Sequence, residues 1–208
     1  MLATHLQDIQ SSTMGSLPAM SSMKRTVQYV RSSKRKPSIA ATRSEIPDLA
    51  GMFLTVDQED FLFRDVTLST PNDRILIWTT NKKLDWLQAS PHWFCDGTFK
   101  FSPCLFDQLI VLHGLRIDGN NVTCFPLVYI LAPNRLQRTY VRVLKELKSA
   151  RPALAPVSVM TDFEKALRNA FTSEFPQVTL RGCFFHFAQA NMKHIRGTLL
   201  LHSKHCIN

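Results

Sequence analysis

Between Phe175 and Asn208 the sequence has no aspartate or glutamate. It also has no apolar run near the ~20 residues a membrane helix needs. Its first twenty residues, "MLATHLQDIQSSTMGSLPAM", lack the basic-then-apolar order of a secretory leader. The cysteines number five, an odd count spread along the chain, which argues against a disulfide framework and for a reducing compartment. No internal repeat is present. These absences exclude a membrane span and a disulfide-stapled secreted domain, and they leave a globular domain with flanking sequence. The 208 residues are 45% hydrophobic, enough for one real core.

Charge is unbalanced: 25 Lys and Arg against 16 Asp and Glu give a formal net +9. A basic chain has a polyanion such as nucleic acid as its natural partner, although a merely basic protein has the same balance. Residues 1 to about 45 are Ser-rich and weakly apolar, and are expected to lack regular structure. Within them Lys24, Arg25, Arg31, Lys34, Arg35 and Lys36 form two basic clusters. Such clusters suit nuclear import or phosphate contact, and equally a solvated tail without a receptor.

Beyond that segment the pattern predicts ordered elements. "DFLFRDVTL" and "RILIWTT" read as strands of a flanking hairpin over 46–92, followed by a short helix, "NKKLDWLQAS", with Asn81 as its cap. "WFCDGTFKF" reads as a strand buried on both faces by Trp93, Phe94, Cys95, Phe99 and Phe101. "FDQLIVLHGLR", the turn "IDGNN" and "VTCFPLVYILA" follow as a second and third strand. Pro126 inside the third has no N–H for a ladder, which predicts a sheet-edge position. "RTYVRVLKELKSA" is a helix with Tyr140, Leu144 and Leu147 on one face, and "PVSVM" a fourth strand. "DFEKALRNAFTSEF" is a helix with a stripe of Phe163, Ala166, Leu167, Ala170 and Phe171. "VTLRGCFF" is a fifth strand and "HFAQANMKHI" opens a last helix. The order β-β-β-α-β-α-β-α predicts an α/β fold: a mixed sheet with helices on both faces.

In this order the first and fourth strands can be parallel neighbours, with Asp96 and Asp162 facing each other across them. A buried carboxylate is costly unless paired or metal-bound, and two close carboxylates attract a cation. Mg2+ takes oxygen ligands of this kind. Each aspartate also has a structural reading. Asp96-Gly97 is a turn pair, Asp162 suits a helix start, and Thr161 with Glu164 fits a capping box.

"WFCDGTFKFSPCLFDQLIVLHGL" with "FPLVYILAPNRLQRTYVRVLKEL", "VMTDFEKALRNAF" and the C-x2-H of "RGCFFHFAQA" resembles the catalytic core of Mutator-like element (MULE) transposases. It is similar in particular to animal types that accompany FLYWCH zinc fingers. The resemblance spans about 46–195. It implies an RNase H-like sheet of order 3-2-1-4-5 and a DDE mechanism, in which three acids hold two Mg2+ (or Mn2+) ions that cut and rejoin transposon-end DNA. Asp96 is then the first acid and Asp162 the second. The family's third acid, a glutamate on a later helix, has no counterpart, and no FLYWCH module precedes the core.

The chain therefore reads as a core over 93–196, cut short at the C-terminus, with a divergent tail over 197–208 that fits poorly as a continuation of the last helix. Cys183 and His186 could supply half a zinc site, but His194, His202, His205 and Cys206 form no compact second pair. A packing and hydrogen-bonding role is expected for the C-x2-H element, without zinc. The expected function is a transposase-derived domain in the nucleus, inactive as this chain, with DNA, a second copy or a full-length transposase as partner. The alternatives are a domesticated DNA- or protein-binding remnant and an unrelated basic α/β binding module.

Overall fold

Strand and helix signals alternate along the sequence, and in the computed structural model they become one seven-stranded sheet and four helices. Residues 40–98, 102–119 and 121–205 are described. The six lysines and arginines of the basic clusters, Phe99, Phe101 and Cys206 lie outside them.

The strands are β1 Leu62–Thr67, β2 Arg74–Trp78, β3 His92–Thr98, β4 Gln108–Asp118, β5 Asn121–Ala132, β6 Ser158–Thr161 and β7 Thr179–Gly182. The helices are α1 Asn81–Ala89, α2 Gln137–Ala150, α3 Lys165–Glu174 and α4 Phe184–His205. The sheet order is β1-β2-β5-β4-β3-β6-β7. Strands β3, β6 and β7 run parallel, and all other neighbours are antiparallel.

The strand that carries Pro126 is not at the sheet edge. Strand β2 lies outside β5 and pairs with Tyr129–Leu131. Its pairing stops short of Pro126, and the β4–β5 register slips there, from Leu112↔Val128 to His113↔Pro126. A local bulge beyond the reach of β2 spares the proline its missing ladder bond.

Strand β3 is buried on one face rather than two. Trp93 and Cys95 are buried, whereas Asp96 between Cys95 and Gly97 is exposed. Trp93, Cys95, Ile110, Leu112, Val128, Ile130 and Val159 join one core with Leu84 and Leu87 of α1, Tyr140, Val143, Leu144 and Leu147 of α2, and Leu167 and Phe171 of α3. Three helices thus share one face of the sheet. The opposite face carries a smaller cluster of Leu76, Phe106 and Leu131 against Ile46 and Leu49. Helix α4 meets that side at its first turn, where His186 faces Asp96.

Local chemistry sets the helix ends. Helix α1 is capped by Thr80, not Asn81: the Thr80 hydroxyl accepts the Lys83 N–H at 3.2 Å. At its other end the Trp93 indole N–H is shared between the carbonyls of Leu87 and Ser90, each at 3.0 Å, beside the Ser90 N–H that also donates to Leu87 at 3.2 Å. Helix α3 begins at Lys165, three residues later than the pattern suggested, because Thr161 still belongs to β6. Phe163 is therefore exposed and outside the helical stripe. Helix α4 continues through Gly197 to His205, so the sequence after Arg196 does extend the helix. One interior glycine costs about 1 kcal/mol, too little to end a helix among the leucines that follow. No helix among the described residues is long and apolar enough to cross a membrane.

Candidate active site

Strands β3 and β6 are adjacent and parallel, with Phe94 opposite Met160. Side chains alternate along a strand, so Asp96, two residues beyond Phe94, and Asp162, two beyond Met160, come to the same uncovered face. Both line one open cleft of about 300 Å3 with Phe94, His113, Met160 and His186. The Asp96 side chain is 61% exposed. No desolvation cost has to be offset there, so the reason for a carboxylate in this strand is not burial. Cys183 and Cys124 also border the cleft.

Asp162 is held more closely. It lies in the connection between β6 and α3, and its Oδ1 accepts the Glu164 N–H at 3.0 Å. This short turn replaces the Thr161–Glu164 capping box, whose side-chain bond to the helix is absent. Thr161 donates instead to the Asp162 carbonyl at 2.8 Å and accepts from Arg168 at 3.2 Å. The Cys183 N–H donates to the Thr161 carbonyl at 2.8 Å, tying the C-x2-H segment to the strand that delivers Asp162.

Three residues on, His186 places Nε2 3.8 Å from Asp96 Oδ1, while its Nδ1 is buried without a hydrogen-bond partner among the described residues. The C-x2-H element thus sits at the cleft itself. Its backbone braces the Asp162 side and its imidazole faces Asp96. A Cβ on Gly182 would stand 2.7 Å from the ring of exposed Phe163, which would have to shift.

Carboxylates dominate the local field. Burial pushes the Cys95 thiol far above its ordinary value, and the charges of Asp162, Asp96 and Glu164 push it further, so it stays a protonated thiol. Glu164 is itself raised, first by burial and also by Asp162, against a lowering hydrogen bond from Tyr140. That bond, Tyr140 OH to Glu164 Oε1, is 2.6 Å long. Glu164, Tyr140 and Gln108 are neighbours that sequence reasoning did not select as site residues. The one available signal was a glutamine inside the apolar run "QLIVL".

Asp96 and Asp162 offer the hard oxygen donors that Mg2+ prefers, and an open cleft leaves space for its waters. No group of three or more His, Cys, Asp or Glu among the described residues converges on a common metal position. Residues 92–190 match the family model of the MULE transposase domain. The matched MULE segment runs from the start of β3 into α4 and includes Asp96, Asp162, Cys183 and His186. No curated protein matches the chain.

Proposed function

We propose that this chain is a MULE transposase-derived domain of RNase H-like architecture, in which Asp96 and Asp162 are the surviving first two acids of a DDE site for DNA phosphodiesters. The observation that carries the reading is their joint opening onto one cleft from adjacent parallel strands, within the matched segment. The order β5-β4-β3-β6-β7 within the sheet supports the architecture. A divalent ion in such a site supplies charge stabilisation at phosphorus and an activated attacking oxygen. Asp96 and Asp162 would hold it as hard oxygen ligands. His186, facing Asp96, gives this side of the cleft a group that can pair with a carboxylate or a phosphate.

In this reading the 208-residue chain does not cut or join DNA alone. In-line displacement needs ligands for a second ion. The acids after Asp162 are only Glu164 and Glu174, and Glu174 is at the far end of α3, paired with Lys148 at 3.4 Å. Binding is the activity expected to remain. Lys24, Arg25, Arg31, Lys34, Arg35 and Lys36 would supply a phosphate-contacting arm and a nuclear-import signal. The FLYWCH-associated type of MULE protein remains the subgroup it most resembles.

The test is a nicking and strand-transfer assay on a MULE-type terminal inverted repeat with Mg2+ or Mn2+, run beside a binding titration in rising salt. The expected outcome is no cleavage, with binding that weakens steeply with salt as counterions are released and falls when Lys34, Arg35 and Lys36 become alanine. Cleavage abolished by Asp96→Ala and Asp162→Ala would support the site and refute the inactivity. Binding indifferent to salt would refute the electrostatic arm.

A further inference from the structure

The covered face of the sheet contains a polar chain that the core does not need for packing. Gln108 is 1% exposed and Tyr140 2% exposed, both within apolar surroundings where leucine and phenylalanine would fill similar volumes. Polar groups persist at such depth when they are hydrogen-bonded. Gln108 Nε2 donates to the Tyr140 hydroxyl, and Tyr140 donates its single proton to Glu164 Oε1. Because the tyrosine proton is committed to the carboxylate, its oxygen must accept from Gln108, which fixes the amide with its carbonyl turned away from Tyr140. That carbonyl lies against Gly97: a Cβ there would stand 3.0 Å from Gln108 Oε1. At the other end the Glu164 N–H donates to Asp162 Oδ1 at 3.0 Å. The chain therefore starts beside Asp96, at Gly97, and finishes on the Asp162 carboxylate.

We propose that Tyr140, acting through Gln108 and Glu164, is a positioning residue that sets the relative placement of Asp96 and Asp162. The inference rests on the reading of those two aspartates as a divalent-ion pair. Its logic follows from the two faces. Asp96 is exposed, and on the cleft side its carboxylate meets His186 at 3.8 Å; the strand that bears it is aligned from beneath, through the buried chain. Glu164 contributes an acceptor for Tyr140 and an N–H for Asp162, and it is not itself a ligand.

The experiment measures Mn2+ binding to the full 208-residue chain by the loss of the free-ion electron paramagnetic signal, with circular dichroism and thermal melts as fold controls. Asp96→Asn is expected to abolish the tight site. Tyr140→Phe is expected to weaken it on the order of 10-fold, the lower end of the cost of losing a partner behind a metal ligand, in a protein that still folds. Glu164→Gln keeps an oxygen that accepts from Tyr140 and is expected to stay near wild type. Gly97→Ala, whose methyl presses on Gln108 without removing a core hydroxyl, is expected to weaken binding as Tyr140→Phe does, and it carries the test if Tyr140→Phe does not fold. Wild-type affinity in folded Tyr140→Phe or Gly97→Ala overturns the positioning role. A Glu164→Gln loss as complete as that of Asp96→Asn also overturns it, by making Glu164 a ligand. If the unaltered chain shows no Asp96-dependent Mn2+ binding, the ion-pair reading fails and takes the relay's purpose with it. That result is distinct from a relay failure, in which the unaltered chain binds and Tyr140→Phe binds equally.

Discussion

The two faces of β3 are built from adjacent residues and have opposite physics. Toward the helices, Trp93 and Cys95 are sealed by α1, α2 and α3, and every polar atom named there has a partner. Toward the cleft, Phe94 and Asp96 look out over a surface bordered by the loop of Asp162 and the first turn of α4. The sealed face supplies rigidity and the open face supplies chemistry. A carboxylate can stand in the central part of the sheet because Cys95 before it, and not Asp96 itself, is buried. The difference also separates Asp162 from Asp96. Asp162 is tied by a hydrogen bond into its own turn, whereas Asp96 is placed by the strand that bears it and meets His186 at 3.8 Å.

The sharpest way to break this contrast is to empty the sealed face. Trp93→Ala should cost about 3–5 kcal/mol, the usual penalty for truncating a buried aromatic. It also removes the indole donor from the carbonyls of Leu87, which keeps the Ser90 N–H, and of Ser90, so denaturant unfolding should place it toward the upper end of that range. A smaller loss is expected from Gly114→Ala. Its Cβ would meet Leu127 Cδ1 at 2.7 Å and Ser90 Cβ at 3.0 Å, and overpacking of this kind costs about 1–3 kcal/mol. The same melt experiment reads it.

Cysteine labelling reports the contrast without changing stability. Cys95 is buried and held as a thiol, so it should react only when the protein unfolds. Cys124 is exposed and should label in the native state. Partial burial raises its thiol above the ordinary value, so its labelling should rise with pH later than that of a free cysteine. Native-state labelling of Cys95 at the Cys124 rate would show that the sealed face is not sealed. The smallest effect is expected on the open face: Asp96→Asn should shift stability by no more than about 0.5 kcal/mol, as for an exposed site. A loss of several kcal/mol would mean that Asp96 is a structural carboxylate.

Much of the element pattern could be read from the sequence because it depends on neighbours along the chain. The alternation in "RILIW", the 3.6-residue spacing of Tyr140, Leu144 and Leu147, and the turn residues of "IDGNN" each specify a local conformation. The two aspartates were legible as a pair because element order alone suggested that β3 and β6 could be neighbours. His186 and Glu164 were less legible as site neighbours. The closeness of His186 to Asp96 depends on how β7 returns to the sheet, which residue spacing along the chain does not encode, whereas Glu164 meets Asp162 within a local turn and only its bond to Tyr140 depends on the fold. The sequence also misled at Pro126, because a bulge in the ladder is invisible until the partner strand and its register are known.

By itself the sequence determined that strands and amphipathic helices would alternate, that lysines and arginines would cluster between residues 24 and 36, and that the last acidic residue of the 208 would be Glu174. Only the tertiary structure decided which face of β3 would meet the helices, that β2 would extend the sheet beyond β5, and that Gln108, Tyr140 and Glu164 would join beneath the aspartates. The reason is geometric. Alternation makes successive side chains point in opposite directions, but the assignment of one direction to solvent is made by where the connecting helices pack, and that depends on the whole sheet at once.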